Sequence, residues 1–195
     1  MSGKLEELEN LLAKKVERDE EWGLIEIEDV RPINISRIKE SVKNLPKPAI
    51  ILAILVKYFE KFNKEYVNIT KLTKITFEIE KEVFEKVLST NVFSFRGYNY
   101  GPFTKEIYDC LEFLQNLDLV ELNEEKNKKE VILTQKGLEF FNTKVKDVIP
   151  NELFRMLEKV VEEYGALSYD ELIRRVYTEH PEYAEKSLIR DRYLY

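Results

Sequence analysis

The chain has 195 residues, of which 44% are hydrophobic and 35% are charged, and its net charge is −6. This length allows one domain with appendages or two small domains, and the hydrophobic share is enough for a real core. The acidic balance argues against a broad nucleic-acid-binding face, which is usually strongly basic. The single cysteine, Cys110, excludes an internal disulfide and a cysteine-based zinc site.

The longest uninterrupted apolar run, residues 49–56, falls well short of the roughly 20 residues that cross a bilayer. The N-terminus has no signal-peptide pattern. We therefore expect a soluble, cytoplasmic protein without membrane contact. The abundance of Ile, Lys and Glu fits a protein from a hot environment, where ion-pair networks gain value.

Residues 4–22 are typical of a helix that is charged everywhere except along one narrow apolar stripe. The stripe consists of Leu5, Leu8, Leu12 and Val16. Either this helix packs on its own domain, or these four residues form a helical seam between the two chains of a homodimer. The alternating residues 21–36 predict a strand or extended connector, after which Ser36 is expected to cap a short helix.

The segment at residues 45–48, with two prolines, is the clearest boundary in the chain. Apolar spacing predicts a strong helix over residues 48–62. Asn68 or Thr70 is expected to cap the next helix. A separate short helix over residues 82–89 should follow.

Residues 91–95 have the composition of a short strand. In the aromatic corner that follows, Gly101 permits a turn and Pro102 suits the first turn of a helix. Tyr100 and Phe103 are expected to anchor this corner in the core. The alternative is that exposed aromatics, such as Tyr98, contact a ligand or a partner.

A third helix follows this corner, and its apolar face is predicted from six positions. These are Phe103, Ile107, Cys110, Leu111, Leu114 and Leu117. Residues 118–134 then predict a β-hairpin with a charged tip at residues 123–129. Thr134 is expected to cap the helix that follows the hairpin.

The C-terminal segment has well-defined helix signals. Pro150 opens a helix for which Gly165 is the expected left-handed C-terminal residue. Ser168 and Glu171 have the spacing of a capping box. A last helical turn is expected over residues 187–192.

Three helices closed by a β-hairpin predict a mainly α (α+β) fold, a winged helix-turn-helix domain with a β-hairpin wing. An N-terminal helix and C-terminal helices flank it. The predicted divisions are residues 1–45 (helix and connector, with possible dimerisation), 46–146 (winged helix) and 147–195 (helical extension).

Four motifs occur in a characteristic order: LTKITF at residues 72–77, YGPF at 100–103, LTQKG at 133–137 and PEYAEKSLIRDR at 181–192. This order resembles the YwgA-like winged-helix proteins, which are similar to SocA-like or Panacea-type antitoxin domains. The resemblance covers about residues 48–192 and implies a regulator or antitoxin-related protein. It brings no catalytic residues with it.

No constellation of catalytic residues is evident. The only histidine, His180, has no metal-ligand spacing around it, and Cys110 on an apolar helix face is best explained as a small buried hydrophobe. We therefore expect no enzyme activity, no metal and no cofactor.

The sequence leaves two functions open. The first is a dimeric DNA-binding transcriptional regulator that contacts double-stranded DNA through the third helix and the wing. Its predicted contacts are Arg96, Thr104, Lys105, Tyr108, Lys126, Lys128 and Lys129. The alternative is an antitoxin-like or adaptor module that binds a protein partner without DNA, which the acidic third helix and the aromatic corner favour.

Overall fold

The computed structural model describes residues 33–125 and 128–194, with no account of the side chains of residues 125 and 128. The predicted N-terminal helix and its stripe of Leu5, Leu8, Leu12 and Val16 lie outside the described residues, as does Lys126. Most of the described residues are helical, and short antiparallel strands complete the predicted α+β class. Within the described ranges, none of the helices is long and apolar enough to cross a membrane.

The first two helices are α1 (Ile35–Asn44) and α2 (Lys47–Phe62). The predicted cap of α1, Ser36, is wrong, because the side chain of Asn34 accepts the backbone N–H of Arg37 at 3.0 Å. In α2, every residue from 49 to 56 is completely buried. A helix that is apolar on all sides belongs at the centre of a core, and α2 occupies that place here.

Strand β1 (Val67–Asn68) leads into α3 (Ile69–Ile79), which Asn68 caps as predicted. The separate helix predicted after it does not form, since α3 continues without a break through a wider-turned segment, Glu80–Glu85. The chain leaves this helix through a loop that reaches residue 95.

The strand predicted over residues 91–95 is also absent. The buried Glu80 carboxylate accepts the backbone N–H groups of Val92 and Phe93, both at 2.9 Å, and Glu106 accepts that of Ser94 at 2.8 Å. These amides thus have carboxylate partners and need no neighbouring strand.

A short hairpin follows, formed by β2 (Arg96–Tyr98) and β3 (Gly101–Phe103). Pro102 pairs with Gly97 across the two strands, so its predicted place in the first turn of a helix is wrong. Helix α4 (Lys105–Asn116) begins after Thr104, and Phe103 therefore precedes the helix whose face it was predicted to join. The remaining predicted face of α4, from Ile107 to Leu117, is buried.

The β-hairpin predicted over residues 118–134 is confirmed as β4 (Val120–Glu125) paired with β5 (Lys128–Leu133). Its predicted tip at residues 123–129 is too long, because the ladder continues to the pair Glu125 and Lys128. Strand β1 adds to the other side of β5, which gives the sheet order β1-β5-β4. Thr134 caps α5 (Gln135–Phe140) as predicted, accepting the N–H of Gly137 at 2.9 Å. The α5 helix continues through wider turns and a short 3-10 turn to residue 148.

The C-terminal helices are α6 (Asn151–Gly165), α7 (Tyr169–Glu179), α8 (Pro181–Ala184) and α9 (Arg190–Leu194). The predicted capping box at the start of α7 is present. The predicted final turn lies slightly further along, in α9.

Gly165 does not take the predicted left-handed conformation and instead lies within α6. A Cβ at this position would come within 2.5 Å of the Phe62 ring, so the glycine permits close helix packing. The Lys71 ammonium group donates to the carbonyls of Gly165 and Leu167 at 2.8 and 2.7 Å. A lysine from α3 thereby satisfies two carbonyls at and just beyond the end of α6.

One hydrophobic core joins residues from α1 through α9. Its largest completely buried side chains include Phe77, Phe84, Phe141 and Tyr177. The core therefore continues across residue 146, and α6 packs directly against α2.

Replacing Glu80 by alanine should lower the free energy of unfolding by about 2 kcal/mol or more, because two backbone N–H groups lose their acceptor. Urea unfolding followed by circular dichroism measures this. The matched control is Glu82→Ala, whose carboxylate forms a surface ion pair with the exposed Lys86 and should change stability by less than about 0.5 kcal/mol. Equal losses in the two variants would contradict this role of Glu80.

Candidate interaction surface

The β2–β3 hairpin is placed by close packing on α7. Gly101 has a φ of +82°, and a Cβ there would lie 2.5 Å from the buried ring of Tyr177. Glycine is needed here both for the backbone conformation and for the close approach. The predicted turn role of Gly101 is thus confirmed, and its partner is a tyrosine from the C-terminal region.

The turn of the hairpin is held by the segment before α9. The carbonyl of Asn99 accepts the backbone N–H of Leu188 at 2.9 Å and the hydroxyl of Ser187 at 3.3 Å. The Ser187 hydroxyl also lies 2.7 Å from the phenol oxygen of Tyr177. These hydrogen bonds fix the hairpin to two C-terminal elements.

A buried lysine lies beneath the hairpin. Lys74 of α3 is 2% exposed, and its ammonium group donates to the carbonyl of Pro102 at 2.7 Å. Burial lowers the pKa of Lys74 to about 7, because the charged form loses its hydration. Lys74 also lines a small cavity with hairpin residues and Tyr108.

The outer side of this region carries large apolar side chains in solvent. They form what we call the aromatic patch: Tyr98, Tyr100, Tyr169 and Leu188, which are 47%, 53%, 41% and 73% exposed. The prediction that Tyr100 anchors the corner in the core is therefore wrong, and Phe103 is only half-buried.

The members of the aromatic patch lie close together although they come from three parts of the chain. The pKa of Tyr169 is raised by burial and by the neighbouring phenol of Tyr100. Leu188 is joined to the hairpin turn through its backbone. The ring of Tyr98 packs against Phe103 at a centroid distance of 5.3 Å. The patch is thus a feature of the folded chain, with no counterpart in any single sequence motif.

The predicted DNA-contacting residues occupy different environments. Thr104 is 3% exposed, and its hydroxyl accepts the N–H of Glu106, so this side chain serves the start of α4 and does not reach the surface. Lys105 is exposed but forms an ion pair with Asp109 one turn along. Arg96 is exposed on the hairpin, with its guanidinium 5.9 Å from the centre of the Tyr98 ring.

The β4–β5 hairpin, predicted as the wing, meets α4 near Tyr108. Burial raises the pKa of this half-buried tyrosine, and the nearby Lys129 acts in the opposite direction. Lys129 also pairs with Glu124 at 3.2 Å. Of the other wing lysines predicted to contact DNA, Lys126 lies outside the described residues, and the side chain of Lys128 is not described. Of the predicted DNA contacts that the structure describes, Tyr108 and Lys129 lie near each other. The two described lysines, Lys105 and Lys129, each form an ion pair with a carboxylate.

The lone cysteine and histidine are in different surroundings. Burial raises the pKa of the Cys110 thiol to about 12, as expected of a small core residue.

The imidazole Nε2 of His180 lies 3.3 Å from Oε2 of the buried Glu78, and this hydrogen bond raises the pKa of His180. Glu179 also contributes an oxygen to this group, which could hold a metal ion. Glu78 and His180 are 102 residues apart in the sequence, so no short motif could predict this group.

The fold and this surface define a mainly helical α+β protein with exposed aromatic side chains. Residues 92–182 match the family model described as Antitoxin SocA-like, Panacea domain. The match confirms the resemblance to SocA-like and Panacea-type antitoxin domains over slightly less than half of the chain. The narrower likeness to YwgA-like proteins stays a prediction. Neither the curated proteins nor the solved structures include a significant match.

The matched segment contains the whole β2–β3 hairpin, α4, the wing and α7. It therefore includes Tyr98, Tyr100 and Tyr169 of the aromatic patch, together with the Gly101–Tyr177 contact that places the hairpin. The motif at residues 72–77, which contains Lys74, lies outside the matched segment.

Replacing Lys74 by methionine should make stability less dependent on pH. The lysine has a pKa of about 7 when folded and about 10.5 when unfolded, so between these values the unfolded chain binds more protons. The wild type should therefore gain stability relative to Lys74→Met as pH rises through this window, by up to about 1.4 kcal/mol per unit. Urea unfolding at pH 6, 8 and 9.5 measures the difference. A constant difference across this range would contradict the lowered pKa of Lys74 in the folded chain.

Proposed function

We propose that this chain is a non-enzymatic, antitoxin-like interaction module that binds a protein partner through the aromatic patch. The observation that carries the proposal is the group of exposed Tyr98, Tyr100, Tyr169 and Leu188 on a hairpin that buried contacts hold in place. Three of the four lie in the segment that resembles antitoxin domains. Clustered exposed apolar side chains of this size mark protein-binding surfaces.

We also infer that the scaffold is a winged helix. Helix α2, strand β1, helices α3 and α4, and the β4–β5 hairpin follow one another in the order of that fold. Strand β1 joins the hairpin as a third strand, in the order β1-β5-β4. Beyond this plan, α6 packs against α2, and α7 lies beneath the second, shorter hairpin.

The chemistry of the aromatic patch suits a protein surface. Tyrosine combines a large apolar ring with a hydroxyl and loses little conformational entropy on binding, which is why it is enriched at binding hot spots. The hairpin beneath is already placed by Tyr177 and Lys74. A surface that is ordered before binding avoids much of the entropic cost of association.

The charges near α4 favour this function over DNA binding. Lys105 and Lys129, two of the predicted phosphate contacts, each pair with a carboxylate. The net charge of −6 adds a general repulsion for phosphates. DNA binding by α4 and the wing would have to break these pairs.

Affinity capture with the full chain tests the proposal. The wild type should recover one stoichiometric protein from extracts of its own cells, with no effect of nuclease treatment. The double variant Tyr98→Ser/Tyr100→Ser should lose that protein by at least about tenfold, because two aromatic anchors are removed. The matched control is Tyr66→Ser, since Tyr66 is 49% exposed beside a different pocket, next to β1. It should retain the partner, and circular dichroism should show that both variants are folded.

If the patch variant and the Tyr66→Ser control recover equal amounts of the partner protein, the aromatic patch is not part of the interface. Recovery of nucleic acid alone, together with binding of a random DNA duplex in fluorescence anisotropy at moderate salt, would favour the regulator instead.

A further inference from the structure

We propose that Glu78, Glu179 and His180 bind a divalent transition-metal ion, with zinc as the best-suited ion. Their ligand atoms, one imidazole nitrogen and two carboxylate oxygens, all lie within 4.8 Å of one another. Zinc takes both imidazole nitrogen and carboxylate oxygen as ligands, and a site with three protein ligands keeps one position open for water. The site is separate from the aromatic patch and involves different residues.

The geometry of the buried half of the site already fits a metal ion. Nε2 of His180 lies 3.3 Å from Oε2 of Glu78. A tetrahedral zinc ion with ligands at about 2.0–2.2 Å holds neighbouring ligand atoms about 3.3–3.5 Å apart. The two atoms can therefore bind one ion with little movement.

A second observation indicates that the Glu78 carboxylate needs a further partner. Glu78 is 0% exposed, and its other oxygen, Oε1, has no hydrogen-bond partner among the described residues. A buried carboxylate with an unsatisfied oxygen is costly unless a cation or donor compensates it. A metal ion bound by both oxygens of the Glu78 carboxylate and by Nε2 of His180 would compensate the buried charge and give Oε1 a partner.

The backbone around the site also favours a cation. Glu179 is the last residue of α7, and His180 follows it as the C-terminal cap. The C-terminal end of an α-helix carries partial negative charge, which stabilises positive ions nearby. Because His180 also precedes α8, helices on both sides restrict its backbone.

Glu179 supplies the adjustable third ligand. Its Oε1 accepts a hydrogen bond from Nε of Arg175 at 2.9 Å, and its Oε2 accepts one from the phenol hydroxyl of Tyr164 at 3.2 Å. An ionised carboxylate has about four acceptor positions, so each oxygen keeps room for one more bond. The side chain is 39% exposed and can rotate toward the ion.

The open coordination position would face a surface cavity of about 580 Å³. Both Glu179 and His180 line it, along with Tyr164, Arg175 and the cationic side chains of Lys86 and Lys159. Water can therefore reach the ion and complete its coordination.

Isothermal titration of the metal-free full chain with Zn²⁺ tests this proposal, and Co²⁺ absorption reports the coordination geometry. The wild type should bind one ion per chain, with the visible bands of tetrahedral Co²⁺. His180→Gln and Glu179→Gln should each raise the dissociation constant at least about tenfold. The matched control is Glu82→Gln, which removes a carboxylate from the same cavity but outside the cluster and should bind like the wild type.

The proposal is overturned if the wild type shows no saturable binding of one ion. It is also overturned if both ligand variants bind within about threefold of the wild type, or if Glu82→Gln loses binding as they do. Since Glu179 is exposed, its variant tests the site even if His180→Gln fails to fold.

Discussion

The position of the β2–β3 hairpin depends on one contact, the seating of Gly101 against the buried ring of Tyr177. Strands of three residues are too short to form a stable hairpin alone. This one is stable because Tyr177 supports it from α7, Lys74 donates to its Pro102 carbonyl, and the backbone of Leu188 donates to its turn. The hairpin thus connects α3 with the C-terminal helices, and its exposed rings take their positions from that core.

Two carboxylates, one buried and one partly exposed, hold the loop that leads into the hairpin. Glu80 accepts two backbone N–H groups of the loop before the hairpin. Glu106 accepts a third while bonded to Lys47 at 2.5 Å, which ties the loop to the start of α2. The ordered loop, the hairpin and the completely buried α2 are therefore parts of one packed unit. An interaction surface built on it is ordered before a partner arrives.

Much of the fold could be predicted from local patterns. The strong helix over α2, the caps at Asn68, Thr134 and Ser168, and the β4–β5 hairpin are confirmed, because capping and alternation depend on neighbouring residues. The errors occurred where a distant residue decides the structure. Residues 91–95 resemble a strand in composition, but carboxylates elsewhere take up their amides. Gly165 resembles a left-handed cap in sequence, but it lies in α6, where the distant Phe62 ring leaves no room for a Cβ.

The candidate sites were harder to predict for the same reason. The aromatic corner drew attention as a motif, yet Tyr100 resembled a core anchor until the fold placed it in solvent. Tyr169 and Leu188 join the aromatic patch only through tertiary structure. The group of Glu78, Glu179 and His180 brings together residues from α3 and the end of α7, and no short motif could show it. The described lysines predicted to contact DNA, Lys105 and Lys129, are exposed, but each pairs with a carboxylate in the folded chain.

The central claim is that buried contacts hold the β2–β3 hairpin as an ordered platform in the free chain. Hydrogen–deuterium exchange of the backbone amides in residues 96–103, followed in the full chain without a partner, tests it most directly. A docked hairpin predicts that amides in its ladder exchange at least about 100-fold more slowly than in an unstructured peptide. Exchange at the unstructured rate, while the amides of α4 remain protected, would show that the hairpin is not held and would contradict the account.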